Sequence, residues 1–161
     1  MDLAFVVDGM LGSLARKLRM YGFDTLYYAD ADDDKIISIG RQSGRVIVTC
    51  DRGLFEAGTK HGVASVLLTD PSDEERLITV FRTLKLRPGV LEPEATRCPV
   101  CNGLLEVGDA KSVQVKVPRG VAESYTEFYV CRECGKVYWQ GSHWKRILDL
   151  STNVRRKLRQ A

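Results

Sequence analysis

Four short apolar runs in the first half of the chain each stop at an aspartate, and a segment with helical character follows each one. The runs are Ala4-Phe5-Val6-Val7 before Asp8, Leu26-Tyr27-Tyr28-Ala29 before Asp30, Val46-Ile47-Val48-Thr49-Cys50 before Asp51, and Val66-Leu67-Leu68-Thr69 before Asp70. Repeated strand–helix units demand a parallel sheet with helices on both sides, because each strand must return to the same edge before the next begins. Right-handed crossovers then put every strand C-terminus on one edge, which is where open α/β sheets bind ligands.

The pattern predicts strands at roughly 3–7, 24–29, 45–50 and 64–69. A helix over 11–21 places Leu11, Leu14, Ala15 and Leu18 on one face and stops at Gly22. A second carries Ile36, Ile37 and Ile39 and closes at Gly44, and a short third covers Leu54 to Thr59. Ser72-Asp73-Glu74-Glu75 has the spacing of a capping box and opens a helix with Leu77, Val80, Phe81 and Leu84 inward.

After Arg87-Pro88-Gly89 and Pro93 the character changes, which divides the chain into an α/β domain over 1–90 and a smaller unit over 91–161. Two CxxC pairs, Cys98/Cys101 and Cys131/Cys134, lie 29 residues apart. That spacing suits one tetrahedral four-thiolate site, so it predicts a structural zinc ribbon with no open coordination position for catalysis. A β unit of this size buries little core, and metal binding supplies folding energy. Val113, Val115 and Val117 alternate with polar residues, as in an exposed strand, and Ser142 is placed to cap a last helix with Trp144, Ile147 and Leu148 inward. Cys50 ends an apolar run and reads as a small buried hydrophobe.

With 161 residues, 44% hydrophobic and 28% charged, the chain has the composition of a globular protein. No apolar run approaches the length of a membrane span, and no secretory leader is evident, so a cytoplasmic location and no membrane partner are expected. Charge is uneven: residues 1–90 carry 12 basic and 13 acidic side chains, net −1, and residues 91–161 carry 12 and 8, net +4. The asymmetry weakly favours a polyanionic partner, and the tail Arg155-Arg156-Lys157-Leu158-Arg159 suits either such a partner or a solvated helix face.

Carboxylates gathered at one sheet edge repel one another unless a cation sits between them, and hard divalent cations prefer oxygen ligands. Asp8 and Asp51 follow the first and third strands and are the main metal-ligand candidates, although each also suits a helix N-cap. Gly9 and Gly12 leave room for a ligand to approach. Asp32-Asp33-Asp34 exceed what a helix dipole needs, and Asp33, then Asp34, is the expected third ligand. Asp30 reads as a loop residue, and Asp70 is a further acidic candidate that also fits a turn. Arg16, Lys17, Arg19, Arg41, Arg45 and Arg52 are candidate phosphate contacts around this centre.

The run Asp8-Gly9-Met10-Leu11-Gly12-Ser13-Leu14-Ala15-Arg16-Lys17-Leu18-Arg19-Met20-Tyr21-Gly22-Phe23-Asp24, with Thr49-Cys50-Asp51-Arg52 and Gly135-Lys136-Val137-Tyr138-Trp139-Gln140-Gly141-Ser142-His143-Trp144, resembles the Mut-7 C-terminal ribonuclease family, PIN-like domains followed by a zinc ribbon. The resemblance implies a three-layer αβα fold and a metal-dependent ribonuclease specific for single-stranded RNA. It implies magnesium or manganese held by Asp8, by an acid within Asp32–Asp34 and by Asp51, with Asp70 as the counterpart of a fourth acid. On this reading Arg16, Arg19 and Arg52 position phosphates. Trp139, Tyr138 and Trp144 stack unpaired bases, and His143, Lys145 and Arg146 meet the backbone. The competing role for these aromatics is packing around a small zinc core.

The main alternative is a PIN-like module that binds RNA or a ribonucleoprotein without cutting it. A phosphatase of the haloacid-dehalogenase type would want a second aspartate two residues after the first, where this chain has Met10.

Overall fold

The structure is a computed structural model and describes residues 2–160. Four parallel strands, β1 (Ala4–Val7), β2 (Asp24–Tyr27), β3 (Val46–Thr49) and β4 (Ser65–Leu67), form a sheet in the order β2-β1-β3-β4. Between and after them run α1 (Gly12–Met20), α2 (Asp33–Ser43), α3 (Arg52–Lys60) and α4 (Asp73–Thr83). The α/β class and parallel sheet expected from the strand–helix alternation are therefore present.

The period of two along each strand sorts the side chains onto two faces. Phe5, Val7, Val46, Val48, Val66 and Leu68 face one way, against Leu14 and Leu18 of α1 and Leu77 and Phe81 of α4. Val6 and Ile47 face the other way, against Ile36 and Ile37 of α2 and Leu54 of α3. Helices thus cover both faces, which is why the central strands read as continuous apolar runs and not as alternating ones. Each fully buried Leu, Val or Phe contributes roughly 1.5–3 kcal/mol.

The helix stops are local. Gly44 (φ 68°) closes α2 in the left-handed conformation that a Cβ disfavours. Ser72 opens α4, its Oγ accepting from the Glu75 amide at 3.3 Å and donating to the Glu75 carboxylate at 2.9 Å.

Beyond residue 90 the chain forms an antiparallel sheet of β5 (Leu105–Val107), β6 (Tyr129–Cys131) and β7 (Val137–Tyr138). The segment bearing Val113, Val115 and Val117 is not the strand that its alternation suggests. It contains the short helix α5 (Ala110–Gln114), capped by Asp109, whose carboxylate accepts from the Ser112 amide at 3.0 Å. Only Val113 is buried, and Val115 is 85% exposed. Three residues of period two are too short a window to outweigh an N-cap. A second short helix, α6 (Arg119–Ser124), follows Pro118.

The final helix, α7 (Ser142–Arg159), is not capped by Ser142. Gly141 occupies the N-cap position with no side-chain hydrogen bond, and Ser142 is the first helical residue. The far half of α7 returns to the α/β part, where Val154 and Leu158 join the core built by α1 and α4. Lys157 pairs with Glu74 at 2.7 Å, and Arg82 donates to the Lys157 carbonyl at 3.0 Å. No helix among the described residues is long and apolar enough to cross a membrane.

Candidate metal and nucleic-acid site

The strand order places β1 beside β3, with β2 and β4 outside them. The chain leaves β1 toward one edge and β3 toward the other, so the crevice of this sheet opens beyond the C-termini of these two strands. Asp8 and Asp51 follow those two strands.

Thr49 connects them. It is fully buried at the end of β3, and its hydroxyl donates to Asp8 Oδ2 at 2.9 Å while accepting from the Asp51 amide at 2.9 Å. Asp8 Oδ1 also accepts from the Gly9 amide at 2.7 Å, and Asp51 Oδ1 accepts from the Leu54 amide at 3.2 Å as N-cap of α3. Capping and a place at the sheet edge are thus the same geometry, not alternatives.

Of the three consecutive aspartates, Asp32 is the N-cap of α2, accepting from the Lys35 amide at 2.9 Å. That leaves Asp33 and Asp34 in the first turn, both exposed. Partial burial, then the negative fields of Asp51 and Asp8, push the Asp33 carboxyl above its ordinary range, with smaller pushes from Asp34 and Asp32. Asp33, Asp8 and Asp51 therefore share one field. A cation would relieve this repulsion, and the donors offered are oxygens alone, as magnesium and manganese prefer. Among the described residues, however, the four cysteines are the only group of three or more such side chains whose ligand atoms all lie within 4.8 Å of one another.

Asp70 lies past the edge strand β4. Its carbonyl accepts from Arg76 Nε at 3.0 Å, and it borders a hollow with Glu75, Arg82 and Lys157. Asp34 borders a separate hollow with Arg41 and His61, and Asp30 lies in an exposed turn.

Gly9 and Gly12 make room for the protein itself. A Cβ on Gly9 would collide with the Ala29 carbonyl, and one on Gly12 would lie 2.8 Å from the Tyr27 hydroxyl. That hydroxyl donates to the Gly9 carbonyl at 2.8 Å, tying the Asp8 loop to β2.

Cys98, Cys101, Cys131 and Cys134 form a cluster that can bind a metal such as zinc. Two Sγ–Sγ distances, 3.7 Å for Cys98–Cys134 and 3.4 Å for Cys101–Cys131, lie near the edge of about 3.8 Å that a tetrahedron with Zn–S of about 2.3 Å requires. Each CxxC closes as the same turn. The Asn102 amide donates to the Cys98 carbonyl at 2.8 Å and the Gly135 amide to the Cys131 carbonyl at 3.0 Å, with Asn102 (φ 72°) and Gly135 (φ 73°) both left-handed. Burial raises the Cys98 thiol, but the Tyr138 hydroxyl and backbone donors outweigh it and bring it down to about 7.

The first turn docks on β2. Asn102 accepts from the Thr25 amide at 2.9 Å and donates to Asp24. Arg19 joins the same contact. It is 7% exposed, and its guanidinium donates to the carbonyls of Thr25 (2.9 Å), Pro99 (2.8 Å) and Val100 (3.3 Å). Nε and Nη1 of Arg19 are thus committed to backbone carbonyls, a docking role that the sequence did not suggest beside the phosphate role expected of it. Arg45 is likewise held by Asp24 at 2.8 Å, and Lys17 by Asp73 at 2.7 Å.

Arg16, Arg52, Lys145 and Arg146 are exposed, as is His143. Arg16, Trp139 and His143 meet at a cavity of about 610 Å³ between α1 and the cysteine unit, together with Tyr27, Lys136 and Tyr138. Trp144 borders a separate hollow of about 80 Å³ with Leu105, Tyr129 and Ile147.

A profile of the Mut7-C RNAse domain family matches residues 3–150, nearly the whole chain. The chain belongs to that family. Neither a curated protein nor a solved structure matches it. Within the Mut7-C RNAse domain family frame, the α/β sheet and the four-cysteine unit are one matched region and not an accidental fusion. Thr49, Tyr27 and Lys136 were not legible as site residues, whereas Tyr138, read as a base-stacking residue, lines the same cavity. The Thr-x-Asp spacing of Thr49 and Asp51 was the one available signal, and only the strand pairing shows that the hydroxyl turns toward Asp8.

Proposed function

We propose that this chain is a divalent-metal-dependent ribonuclease that hydrolyses phosphodiester bonds of single-stranded RNA. The observation that carries the reading is the Thr49 hydroxyl joining Asp8 to the Asp51 backbone at the β1/β3 crevice, with Asp33 at the nearby start of α2, in a chain of an RNAse-domain family. Asp8, Asp33 and Asp51 would hold magnesium or manganese. Such a cation, when bound, supplies an activated water and neutralises charge on the phosphate.

The remaining work falls to the chain's own residues. Thr49 orients Asp8 through its single hydroxyl proton and fixes the Asp51 backbone with its lone pair. Tyr27 holds the Gly9 carbonyl, so the Asp8 loop cannot drift from the sheet. Arg52, exposed in the first turn of α3 beside Asp51, is placed to meet a phosphate. Asp34 and Asp70 lie outside this set and serve as second-rank acids at most. The cysteine unit would hold a structural zinc that keeps the 91–161 part docked on the 1–90 part. A four-cysteine metal site suits a reducing, cytoplasmic setting.

The test is cleavage of end-labelled single-stranded RNA by the zinc-loaded protein, with manganese or magnesium added and omitted. Metal-dependent cutting that disappears in an Asp8→Asn/Asp51→Asn double variant is expected. If the folded wild type binds RNA and does not cut it under either metal, the chain is a binding module instead.

A further inference from the structure

We propose that the groove between α1 and the cysteine unit is a subsite for unpaired nucleotides of the RNA strand, next to the scissile bond. This rests on the ribonuclease reading above and adds to it where the substrate lies and why it is single-stranded.

The groove adjoins the acidic centre. Tyr27 lines it, and the hydroxyl of the same residue holds the Gly9 carbonyl, one residue from Asp8. Gly12 and Arg16 on α1 continue the wall away from that loop, and Lys136, Tyr138, Trp139 and His143 form the opposite wall. A strand leaving the carboxylates past Tyr27 enters this space directly.

Its chemistry matches one occupant. The free cations lining it are Arg16 and Lys136, Arg19 adds its positive field although its Nε and Nη1 are held by carbonyls, and no carboxylate is among the described lining residues. A cationic channel beside a carboxylate cluster is the arrangement needed when the acids hold cations and the rim holds a phosphate backbone. Tyr27, Tyr138 and Trp139 add aromatic surface, which accepts the faces of unstacked bases without reading their edges. The volume of about 610 Å³ falls within the range of about 300–1,000 Å³ found for small-molecule-sized sites. A duplex cannot use it, because its base faces are already stacked on one another.

The walls are pre-set. Arg19 joins α1 to the Pro99 and Val100 carbonyls at the groove floor, and a Cβ on Gly141 would lie 3.0 Å from Trp139 Nε1. The spacing between the two walls is fixed by a buried guanidinium and not by flexible surface chains.

Photo-crosslinking of a 4-thiouridine oligomer to the zinc-loaded Asp8→Asn/Asp51→Asn protein tests this without any need for cleavage. Crosslinks are expected on peptides containing Tyr27 or residues 136–143. In fluorescence anisotropy, Trp139→Ala and Lys136→Glu should each weaken single-strand binding by about tenfold, and a duplex of the same length should bind less tightly than the single strand. Zinc content is measured in each variant, and Lys136, exposed, guards against a folding artefact at Trp139. Crosslinks confined to the Arg155–Arg159 face, or unchanged binding by the zinc-replete Lys136→Glu protein, would overturn the assignment. Failure of the ribonuclease reading shows separately, as absent cleavage with binding in the groove intact.

Discussion

Asn102 Nδ2 donates to Asp24 Oδ1 at 2.7 Å, joining the first cysteine turn to the start of β2 across 78 residues of chain. The other oxygen of Asp24 receives Arg45, so a single carboxylate ties strand β2, the base of β3 and the metal-binding turn together. The Asn102 carbonyl oxygen meanwhile receives the Thr25 amide. Asn102 is left-handed, and that is why the position holds Asn and not a larger residue: it caps the cysteine turn and docks it at once.

Asn102→Gly therefore removes both side-chain bonds and keeps the backbone unstrained. A loss of about 1–3 kcal/mol is expected, one bond being to a charged group. Urea denaturation of the zinc-replete variant gives the number, and an unchanged midpoint would show that the docking is energetically idle.

Asp24 makes that contact pH-dependent. The Arg45 hydrogen bond, with Asn102 and nearby positive charge, outweighs burial and holds its carboxyl below its ordinary value of 3.8. A depressed folded value means stability that is present above 3.8 and lost as pH falls through the folded value. Wild type should exceed Asp24→Asn in thermal midpoint at pH 7, and the gap should narrow in strong acid. A constant gap across that window would assign the effect to packing.

Asp33 has the opposite sign. Partial burial and the fields of Asp51 and Asp8 raise its carboxyl above 3.8, so ionising it works against the fold. The penalty is absent below 3.8 and appears as pH rises through the raised folded value. Without divalent cations, Asp33→Asn should melt higher than wild type at pH 7 and equal to it in acid. Adding manganese should raise the wild-type midpoint more than the variant's. Equal shifts would remove Asp33 from the metal set.

The strand–helix order was readable because each strand is short, apolar on both faces and ended by turn chemistry, as at Gly22 and Gly44. The cysteine unit was readable from spacing alone. What escaped were tertiary uses of polar residues. Arg19 has the sequence look of a surface cation on an amphipathic helix, yet it points its charge into three carbonyls supplied by residues about 80 positions away or across a turn. Asp32, Asp33 and Asp34 are alike as letters, and only the start of α2 decides that Asp32 caps while Asp33 is the one whose carboxyl is raised by the fields of Asp51 and Asp8. The valines at 113, 115 and 117 misled because Asp109 outside that window sets the local structure.

Metal removal should reach past the cysteines. Arg19 draws two of its acceptors from Pro99 and Val100, inside the first CxxC turn. Chelation that opens this turn leaves a largely buried guanidinium short of partners. Zinc-stripped protein should lose β5–β7 structure and also melt lower in the α/β part, seen as reduced amide-exchange protection in α1 and β2. Full protection there would show that the two parts are energetically independent.

Thr49 offers the sharpest separation of fold from function. Thr49→Val keeps the volume of a fully buried residue but deletes the proton given to Asp8 and the lone pair offered to the Asp51 amide. The orphaned amide costs about 1–3 kcal/mol, a modest loss for a well-packed core position. The effect on cleavage should be larger, on the order of 10²-fold in kcat with RNA affinity in the groove retained, since a shift of about 1 Å in a positioned group can cost that much. Thr49→Ser restores the hydroxyl and should recover most of the rate. A Val variant that cuts as fast as wild type, or a Ser variant no better than Val, would mean that the Asp8–Thr49–Asp51 bridge holds the sheet edge and nothing more.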